Sequence, residues 1–266
     1  MTITSRSNTT IKAIRRLRAR GERERAGRFF VEGVRQVAEA VQLGAPVEEL
    51  IVAPELLRSL FARELVTGAA GRGTSVLEVS SEVFGSLSLK EHPQGLGAVV
   101  RQRWAALDEI DPRAGLCWVA LESAADPGNL GTILRTAEAV GAGGVILLGQ
   151  STDPYDPTAV RASTGAVFSQ QLVRATLPAF AAWAARHGLQ IAGTSPDAAL
   201  DYAGAPYRRP LVLLLGSERQ GLSEDALAVC DLLVRIPMAG RSDSLNLAVA
   251  SGIVLYEIFN QSRSAT

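Results

Sequence analysis

The chain has 266 residues, of which 47% are hydrophobic and 20% charged, and its formal net charge is zero. This length suffices for two small α/β domains, each with its own core. No apolar run approaches the roughly 20 residues that a membrane-spanning helix needs, and the polar N-terminus does not resemble a secretory signal. We therefore expect a soluble, cytoplasmic protein that has no membrane partner.

The first hundred residues predict a small α/β domain. Between Ser5 and Arg35 there are ten basic and three acidic residues, an excess that favours contact with a polyanion over an ordinary solvated face. Apolar spacing and turn residues give the elements. They are a basic amphipathic helix over about 8–20, a strand over 29–32, a helix from 34 that stops at 44, a strand over 50–52, a helix opened by Pro54, a strand over 76–79, a helix over 81–87 and a strand over 96–100.

A polar stretch closed by Asp111 and Pro112 predicts a linker over 102–115, between a first domain of residues 1–101 and a second of 116–266. The second domain alternates apolar runs with helical segments, which is typical of a doubly wound parallel α/β sheet with its ligand at the carboxyl ends of the strands. The strands are predicted over 116–121, 144–148, 189–193, 211–215 and 232–236, and the helices over 129–140, 178–187, 223–229 and 246–260.

Metal and redox chemistry are not expected. Cys117 and Cys230 each lie in an apolar run, which favours buried thiols over a disulfide or a ligand set. His92 and His187 have no cysteine or carboxylate around them at metal-ligand spacing. No metal site is predicted.

Two of the loops that follow strands are unusual. The loop after the first strand leads into a helix for which Asn129 is the expected N-cap, and Arg135 lies less than two turns further along. In the loop at 215–223, Gly216 would let backbone approach a flat ligand and Ser223 would cap the next helix. This loop contains neither a phosphate-binding nor a dinucleotide-binding motif. Taken alone, both loops are also explained by helix capping.

The loop after the last strand combines apolar and polar residues. Its apolar members are expected to form a wall beside two polar side chains, Ser244 and Asn246, a mixture that suits an adenine and a sulfonium-bearing chain. Helix capping by the two polar residues is the alternative. The apolar members are Ile236, Met238, Leu245 and Leu247.

Together and in this order, these segments resemble the SpoU family of RNA ribose methyltransferases, part of the SPOUT superfamily. The family motif N-x-G-x-I-x-R-T-A stands at 129–137, the second at 215–223, and I-P-M-x-G-x-x-x-S-L-N at 236–246. The segments FFVEG at 29–33 and HPQG at 92–95 look like the substrate-binding domain that precedes the catalytic domain in many members. That domain is similar to certain RNA-binding ribosomal proteins, and the resemblance covers nearly the whole chain.

The resemblance implies an α/β-knot catalytic domain, with a deep trefoil knot, behind a smaller ribosomal-protein-like α/β domain. It also implies a homodimer whose active site combines residues of both subunits. S-adenosylmethionine would be held bent in the knotted loops. The implied cofactor-binding residues are Thr194, Ser195, Gly216, Ile236, Met238, Leu245 and Leu247.

By the same resemblance, Arg135 is the central catalytic residue, together with Asn129, Glu218, Ser244 and Asn246. The family proposal makes the arginine a general base, but a guanidinium stays protonated at ordinary pH, so binding of phosphate and stabilisation of an alkoxide is the alternative role. Residues expected to contact RNA are Arg15 and Arg16 in the basic helix, and Arg161 and Thr164 in a further family stretch.

The implied reaction is methyl transfer from S-adenosylmethionine to a ribose 2′-hydroxyl. Ribosomal RNA, in particular 23S rRNA, is the favoured substrate, because members that modify the tRNA D-loop generally lack the N-terminal domain. Two alternatives are a tRNA ribose methyltransferase and a non-catalytic, ribosome-associated RNA-binding protein. Neither the target nucleotide nor its base follows from the sequence.

Overall fold

The structure is a computed structural model that describes residues 2–241 and 244–264, and it divides into two compact units. Unit 1 comprises Met1–Gln102 and Tyr155–Phe168, and unit 2 comprises Arg103–Pro154 and Ser169–Thr266. The sequence predicted one boundary region, at 102–115. The contacts differ from that prediction because the chain returns to unit 1 between 155 and 168.

The secondary structure alternates between helices and strands. The helices are α1 (Thr9–Arg16), α2 (Arg20–Ala26), α3 (Val34–Gln42), α4 (Leu60–Gly71), α5 (Ser81–Leu87), α6 (Pro127–Ala139), α7 (Pro157–Ser163), α8 (Ala166–Ser169), α9 (Leu177–His187), α10 (Glu224–Ala228) and α11 (Leu247–Ser264), with a 3-10 turn at Leu107–Glu109. The strands are β1 (Arg28–Glu32), β2 (Val47–Val52), β3 (Ser75–Glu78), β4 (Leu96–Arg101), β5 (Trp118–Glu122), β6 (Gly144–Leu148), β7 (Gln171–Ala175), β8 (Gln190–Thr194), β9 (Leu200–Asp201), β10 (Leu211–Leu215) and β11 (Leu232–Arg235).

Unit 1 is built on a four-stranded sheet with the order β1-β4-β2-β3. Strand β4 is antiparallel to both of its neighbours, whereas β2 and β3 are parallel. Ile11 and Ile14 of α1 are buried in one cluster with Phe84 and Leu87 of α5, so the apolar face of the basic helix packs inwards. The predicted small α/β domain is confirmed.

Two predicted helices of unit 1 differ from the structure. The helix over 8–20 is divided, since α1 ends at Arg16 and α2 begins at Arg20. Pro54 begins only a hydrogen-bonded turn, in which the Leu57 amide donates to the Ala53 carbonyl at 3.1 Å. Helix α4 begins later, at Leu60, where the Ser59 hydroxyl accepts a hydrogen bond from the Ala62 amide in the first turn.

Arg23, one of the ten basic residues near the N-terminus, is buried, with 1% of its surface exposed. Its guanidinium donates to the carbonyls of Leu17 (3.0 Å) and Arg18 (2.7 Å), in the turn between α1 and α2. The same group forms an ion pair with Asp156 at 3.3 Å. Asp156 in turn caps α7 by accepting from the Thr158 amide. Arg23 is therefore a structural link between α2 and the returning segment, and it does not face a polyanion.

We expect Arg23→Met to lower the free energy of unfolding by about 3 kcal/mol, because it leaves a carboxylate and two carbonyls without their donor. Arg25→Met is the matched control on the same helix, since Arg25 is exposed and, among the described residues, pairs only with Glu22 at the surface. Such a pair contributes less than about 1 kcal/mol. Urea denaturation measures both variants, and equal losses would contradict the structural role of Arg23.

Unit 2 contains a seven-stranded parallel sheet with the order β7-β6-β5-β10-β8-β11-β9. The predicted doubly wound parallel sheet is confirmed. The sequence missed two strands at the edges of this sheet. Strand β7 is partly exposed and β9 has only two residues, so neither shows the continuous apolar run of a central strand.

Helices cover both faces of the second sheet. On one face, Trp118 and Ala120 of β5 pack with Phe180 and Trp183 of α9. Successive residues of a strand point to opposite faces, and α11 packs against α6 and β10. Along the described part of the chain, we find no helix that is long and apolar enough to cross a membrane.

Both cysteines lie in unit 2 as free thiols. Cys117 is buried, as predicted, whereas Cys230 is only partly buried. Burial raises the pKa of each thiol to about 12, and the nearby charges of Asp231 and Glu122 add to the shift at Cys230. Neither thiol is therefore a nucleophile at neutral pH.

Candidate active site

The loops that the sequence singled out lie at one edge of the sheet in unit 2. Strands β5, β10, β8 and β11 are consecutive neighbours in this sheet and run parallel. Their carboxyl ends therefore lie side by side, where open α/β sheets bind ligands. The loops that leave β10 and β11 contain the motifs at 215–223 and 236–246, and the loop that leaves β5 leads into α6, which contains the motif at 129–137.

Asn129 does not cap α6, contrary to the prediction. The N-cap is Asp126, whose carboxylate accepts from the Asn129 amide at 2.7 Å, and Pro127 takes the first helical position. The Asn129 side chain is thereby free for longer-range contacts. Its Nδ2 donates to Glu218 Oε1 at 3.2 Å, and its Oδ1 accepts from Asn246 Nδ2 at 2.9 Å. Asn129 thus connects all three motifs.

Asn246 has two roles at the start of α11. Its Oδ1 accepts hydrogen bonds from the amides of Ala248 (2.9 Å) and Val249 (3.3 Å), so it caps the helix. Its Nδ2 is then left to donate to Asn129. The capping alternative and the site prediction are both compatible with this geometry, because the two ends of one amide serve different partners.

Glu218 accepts hydrogen bonds from the amides of Ala125 (3.2 Å) and Asp126 (3.3 Å), in addition to the one from Asn129. Partial burial acts to raise the pKa of this carboxyl, but the hydrogen bonds from its own backbone amide and from these three residues outweigh it and lower the pKa. Glu218 is therefore ionised at neutral pH and joins the loop after β10 to the start of α6.

This lowered pKa predicts a pH effect. A carboxyl whose pKa is lower in the folded protein stabilises the fold fully above its ordinary value of 4.5, and that stability is lost as pH falls through the lowered value. We expect the melting temperature of the wild type to fall more steeply below this pH than that of Glu218→Gln. Thermal unfolding at a series of acidic pH values measures the difference. Parallel curves for the two proteins would show that Glu218 does not stabilise the fold by its charge.

Arg135 lies on α6, six residues beyond Asn129 and about 9 Å further along the helix axis. Its side chain is exposed and makes no hydrogen bond or ion pair with the residues that the structure describes. Ser244 is also exposed, and no hydrogen bond involves its side chain within the described ranges. The structure thus brings together Asn129, Glu218 and Asn246, and leaves Arg135 outside their hydrogen-bond network.

Gly216 lies where the chain leaves β10 and folds back on itself. Ser217 and Gly221 bond each other in both directions, at 3.0 and 3.1 Å. A β-carbon at Gly216 would lie only 2.0 Å from the carbonyl carbon of Gly221. No residue with a side chain fits at this position unless the loop that carries Glu218 opens.

The other predicted cofactor residues lie in the adjacent loops. Thr194 and Ser195 are partly buried at the end of β8, and the Ser195 amide is bound to the Val234 carbonyl of β11 at 3.0 Å. After β11, the predicted apolar residues differ in exposure. Ile236 and Leu245 are partly buried, Met238 is 40% exposed and Leu247 is buried in the first turn of α11. Ser242 and Asp243 of this loop lie outside the described residues.

The sequence missed a function for Glu122, the last residue of β5. Its carboxylate accepts from the Ser223 amide at 2.9 Å and from the Ser223 hydroxyl at 2.7 Å. The same hydroxyl caps α10, as predicted. Glu122 and Glu218 therefore hold the loop between β10 and α10 at both ends. An acidic residue at the carboxyl end of a buried strand was the signal available in the sequence.

The residues predicted to bind RNA all belong to unit 1. Arg15 donates to Ser86 Oγ at 2.7 Å, whereas Arg16 is exposed. Arg161 is exposed on α7, and Thr164 ends this helix in a left-handed conformation with φ of 48°. Arg161 and Thr164 therefore belong to unit 1, although the sequence placed them in the catalytic domain.

The described residues contain no group of three or more histidine, cysteine, aspartate or glutamate side chains that could hold a metal ion. The polar groups at the sheet edge are amides, hydroxyls and two carboxylates that are already occupied by hydrogen-bond donors. Such a site can bind and orient a ligand through hydrogen bonds.

Two family models match the chain. The SpoU rRNA Methylase family matches residues 117–256, and the MRM3-like substrate binding domain matches residues 8–98. Among curated proteins, a 23S rRNA (uridine(2479)-2′-O)-methyltransferase of Streptomyces viridochromogenes is 37% identical over 91% of this chain and 86% of its own length. The 23S rRNA (guanosine(2553)-2′-O)-methyltransferase RlmP of Bacillus subtilis is 28% identical over 96% and 98%.

A solved structure has the same fold as this chain. The crystal structure of an AdoMet-bound rRNA methyltransferase from Sinorhizobium meliloti superposes with a TM-score of 0.89 and 37% sequence identity, covering 98% of both chains. The family model covers more than half of the chain, and it includes the three motifs joined by Asn129. The chain therefore belongs to the SpoU family of rRNA methylases.

Proposed function

We propose that this chain transfers a methyl group from S-adenosylmethionine to a ribose 2′-hydroxyl of 23S ribosomal RNA. It is an S-adenosylmethionine-dependent RNA methyltransferase of the SpoU family. The observation that carries the proposal is the joining of three motifs through one side chain, Asn129, at the carboxyl edge of the sheet. Residues 8–98 of unit 1 match a substrate-binding domain.

The loops fit S-adenosylmethionine. Ile236, Met238 and Leu245 keep apolar surface accessible on the loop after β11, which suits an adenine ring. Thr194 and Ser195 add polar groups from the neighbouring strand end. When bound, the cofactor supplies an electrophilic methyl group on a sulfonium. The knot that the resemblance implies for these loops stays a prediction.

Arg135 is assigned the role of binding the phosphate next to the target ribose and stabilising the developing alkoxide. A guanidinium is protonated at any ordinary pH, so it acts by charge and by hydrogen-bond donation. Glu218 is a poor base because its lowered pKa reflects a carboxylate already occupied by three neighbouring donors. We therefore assign Glu218 and Asn246 to positioning Asn129, and Ser244 to contact with the ribose.

The proposal includes a homodimer that shares its active sites. Arg135 makes no bond to the Asn129 network of its own chain among the described residues. Helix α11, which packs against α6, leaves Val249 and Tyr256 about half exposed, at 52% and 47%. A second copy seated on this apolar surface would bring its cofactor loops to Arg135. The enzyme is placed in the cytoplasm, where ribosomal RNA is found.

We prefer ribosomal RNA over transfer RNA as the substrate. The two relatives named as 23S rRNA enzymes align over 86% and 98% of their own lengths, and the alignments include unit 1. Their named targets are a uridine and a guanosine, so the relatives modify the ribose of different nucleosides. The intact Asn129 network favours an enzyme over a non-catalytic RNA-binding protein.

The proposal is tested by incubating the protein with radiolabelled S-adenosylmethionine and unmodified 23S, 16S or transfer RNA. We expect label in 23S rRNA at one linkage that resists alkaline cleavage, and far less of it over the same time with Arg135→Ala. Label in transfer RNA alone would favour the tRNA alternative. Tight binding of RNA and cofactor without transfer would favour the non-catalytic one.

A further inference from the structure

A small cavity in unit 1 is lined by residues from four separate parts of the chain. Its volume is about 60 Å³, which is room for a few water molecules or one group of phosphate size. Arg18 follows α1, Gln36 lies on α3, Lys90 follows α5, and Arg161 lies on α7 in the returning segment.

The charges around this cavity are unbalanced. Arg18, Lys90 and Arg161 supply three cations, and none of them forms an ion pair with any described residue. Glu32 is the acidic residue among those that line the cavity. Its carboxylate already accepts from the Ser88 hydroxyl and from the Leu89 amide at 3.0 Å. The net charge of the lining is therefore positive.

Arg18 is held in place without an acidic partner, and Lys90 has space beside Gly33. Arg18 donates to the carbonyls of Ser86 (3.1 Å) and Ser88 (3.0 Å), which direct its guanidinium towards the loop after α5. At Gly33, with φ of 107°, a β-carbon would lie 2.7 Å from Lys90 Nζ, so the absence of a side chain leaves room for the ammonium group. One cation is therefore fixed by hydrogen bonds, and a second has room for its ammonium group beside the first.

The surroundings of the cavity indicate what kind of anion fits. Leu17, Phe30 and Leu87 form an apolar floor, and Leu89 is 58% exposed beside it. A nucleotide presents both a phosphate and a flat apolar base to such a surface. The exposed cations Lys12 and Arg16 lie on the neighbouring helix α1. A polyanion can contact these charges at the same time, whereas a single phosphate ion cannot.

We propose that the cavity lined by Arg18, Lys90 and Arg161 binds a phosphodiester group of the substrate RNA. This inference rests on the proposed function and assigns one RNA contact to named residues of unit 1. The site recognises backbone charge, so it positions the RNA and does not read the base.

The test uses the full chain and compares Lys90→Gln and Arg161→Gln with Arg72→Gln. Arg72 is an exposed cation of the same unit outside the cavity, without an ion pair among the described residues. Binding to an unmodified 23S rRNA transcript is measured without cofactor over a range of KCl concentrations. Each cavity variant should bind several-fold more weakly and lower the slope of log K against log salt by about 0.7. Arg72→Gln should keep the wild-type slope, and Lys90→Arg should restore it.

Further measurements separate the possible failures. Unchanged slopes in both cavity variants, with normal methyl transfer by the wild type, would overturn this inference and leave the proposed function standing. Calorimetric binding of inorganic phosphate that is lost in the variants, with RNA slopes unchanged, would identify a site for the free anion and also overturn it. If the wild type neither binds nor methylates ribosomal RNA, the inference fails together with the proposed function.

Discussion

Replacing Arg135 with alanine should lower the rate of methyl transfer to ribosomal RNA by roughly a hundredfold to a thousandfold, the usual effect of removing one donor to a developing oxyanion. The exposed side chain of Arg135 is bound to no described residue, so the structure gives it no stabilising role that would confuse the result. Single-turnover kinetics with saturating S-adenosylmethionine measure the effect. Unfolding curves should match those of the wild type.

Two variants make this result specific. Glu138→Gln changes another exposed charge on the same helix and should keep the wild-type rate. Arg135→Lys keeps the charge but loses the planar fork of donors, so its rate should lie between those of the wild type and the alanine variant. If Arg135→Ala retains the wild-type rate, the arginine has no part in the reaction and its assignment as the catalytic residue is wrong.

Replacing Gly216 with alanine should weaken binding of S-adenosylmethionine by roughly tenfold to a hundredfold. The added β-carbon would lie 2.0 to 2.2 Å from backbone atoms of Gly221 and Leu222, which cannot move aside as a flexible side chain can. Overpacking of this kind costs about 1 to 3 kcal/mol. The cost is relieved if the loop opens, and an open loop carries Glu218 away from Asn129. Calorimetric titration with the cofactor measures the change.

The matched control adds the same methyl group where there is space. A β-carbon at Gly85, in α5 of unit 1, would meet nothing within 4 Å. Gly85→Ala should therefore bind the cofactor as the wild type does and gain a little stability from helix propensity. Wild-type cofactor affinity in Gly216→Ala would mean that the loop after β10 does not form part of the cofactor site.

Local sequence patterns predict the strands and one helix cap of unit 2. The apolar runs over 144–148 and 211–215 coincide with β6 and β10. Helix capping by Ser223 also follows from neighbours in the sequence. The role of Asn129 does not. Its partners Glu218 and Asn246 are 89 and 117 residues away, and Asp126 competes successfully for the capping position.

The charge of a residue in the sequence was a poor guide to its exposure and location in the fold. The ten basic residues near the N-terminus look alike in the sequence, yet Arg23 is buried and paired with Asp156, whereas Arg16 is exposed. Arg161 lies within the range matched by the methylase model, and it lines a cavity of unit 1. These differences arise because partners distant in sequence, and not neighbours, set the burial of a side chain.

The sequence by itself determined the α/β class, the parallel sheet of the second half and the three motifs of the family. These depend on local periodicity and on short spacings, which are properties of adjacent residues. Tertiary structure alone decided the return of residues 155–168 to unit 1, the joining of three motifs at Asn129 and the cavity lined by Arg18, Lys90 and Arg161. Each of these requires segments far apart in the chain to meet, and such contacts form only when the whole sheet and its helices are packed.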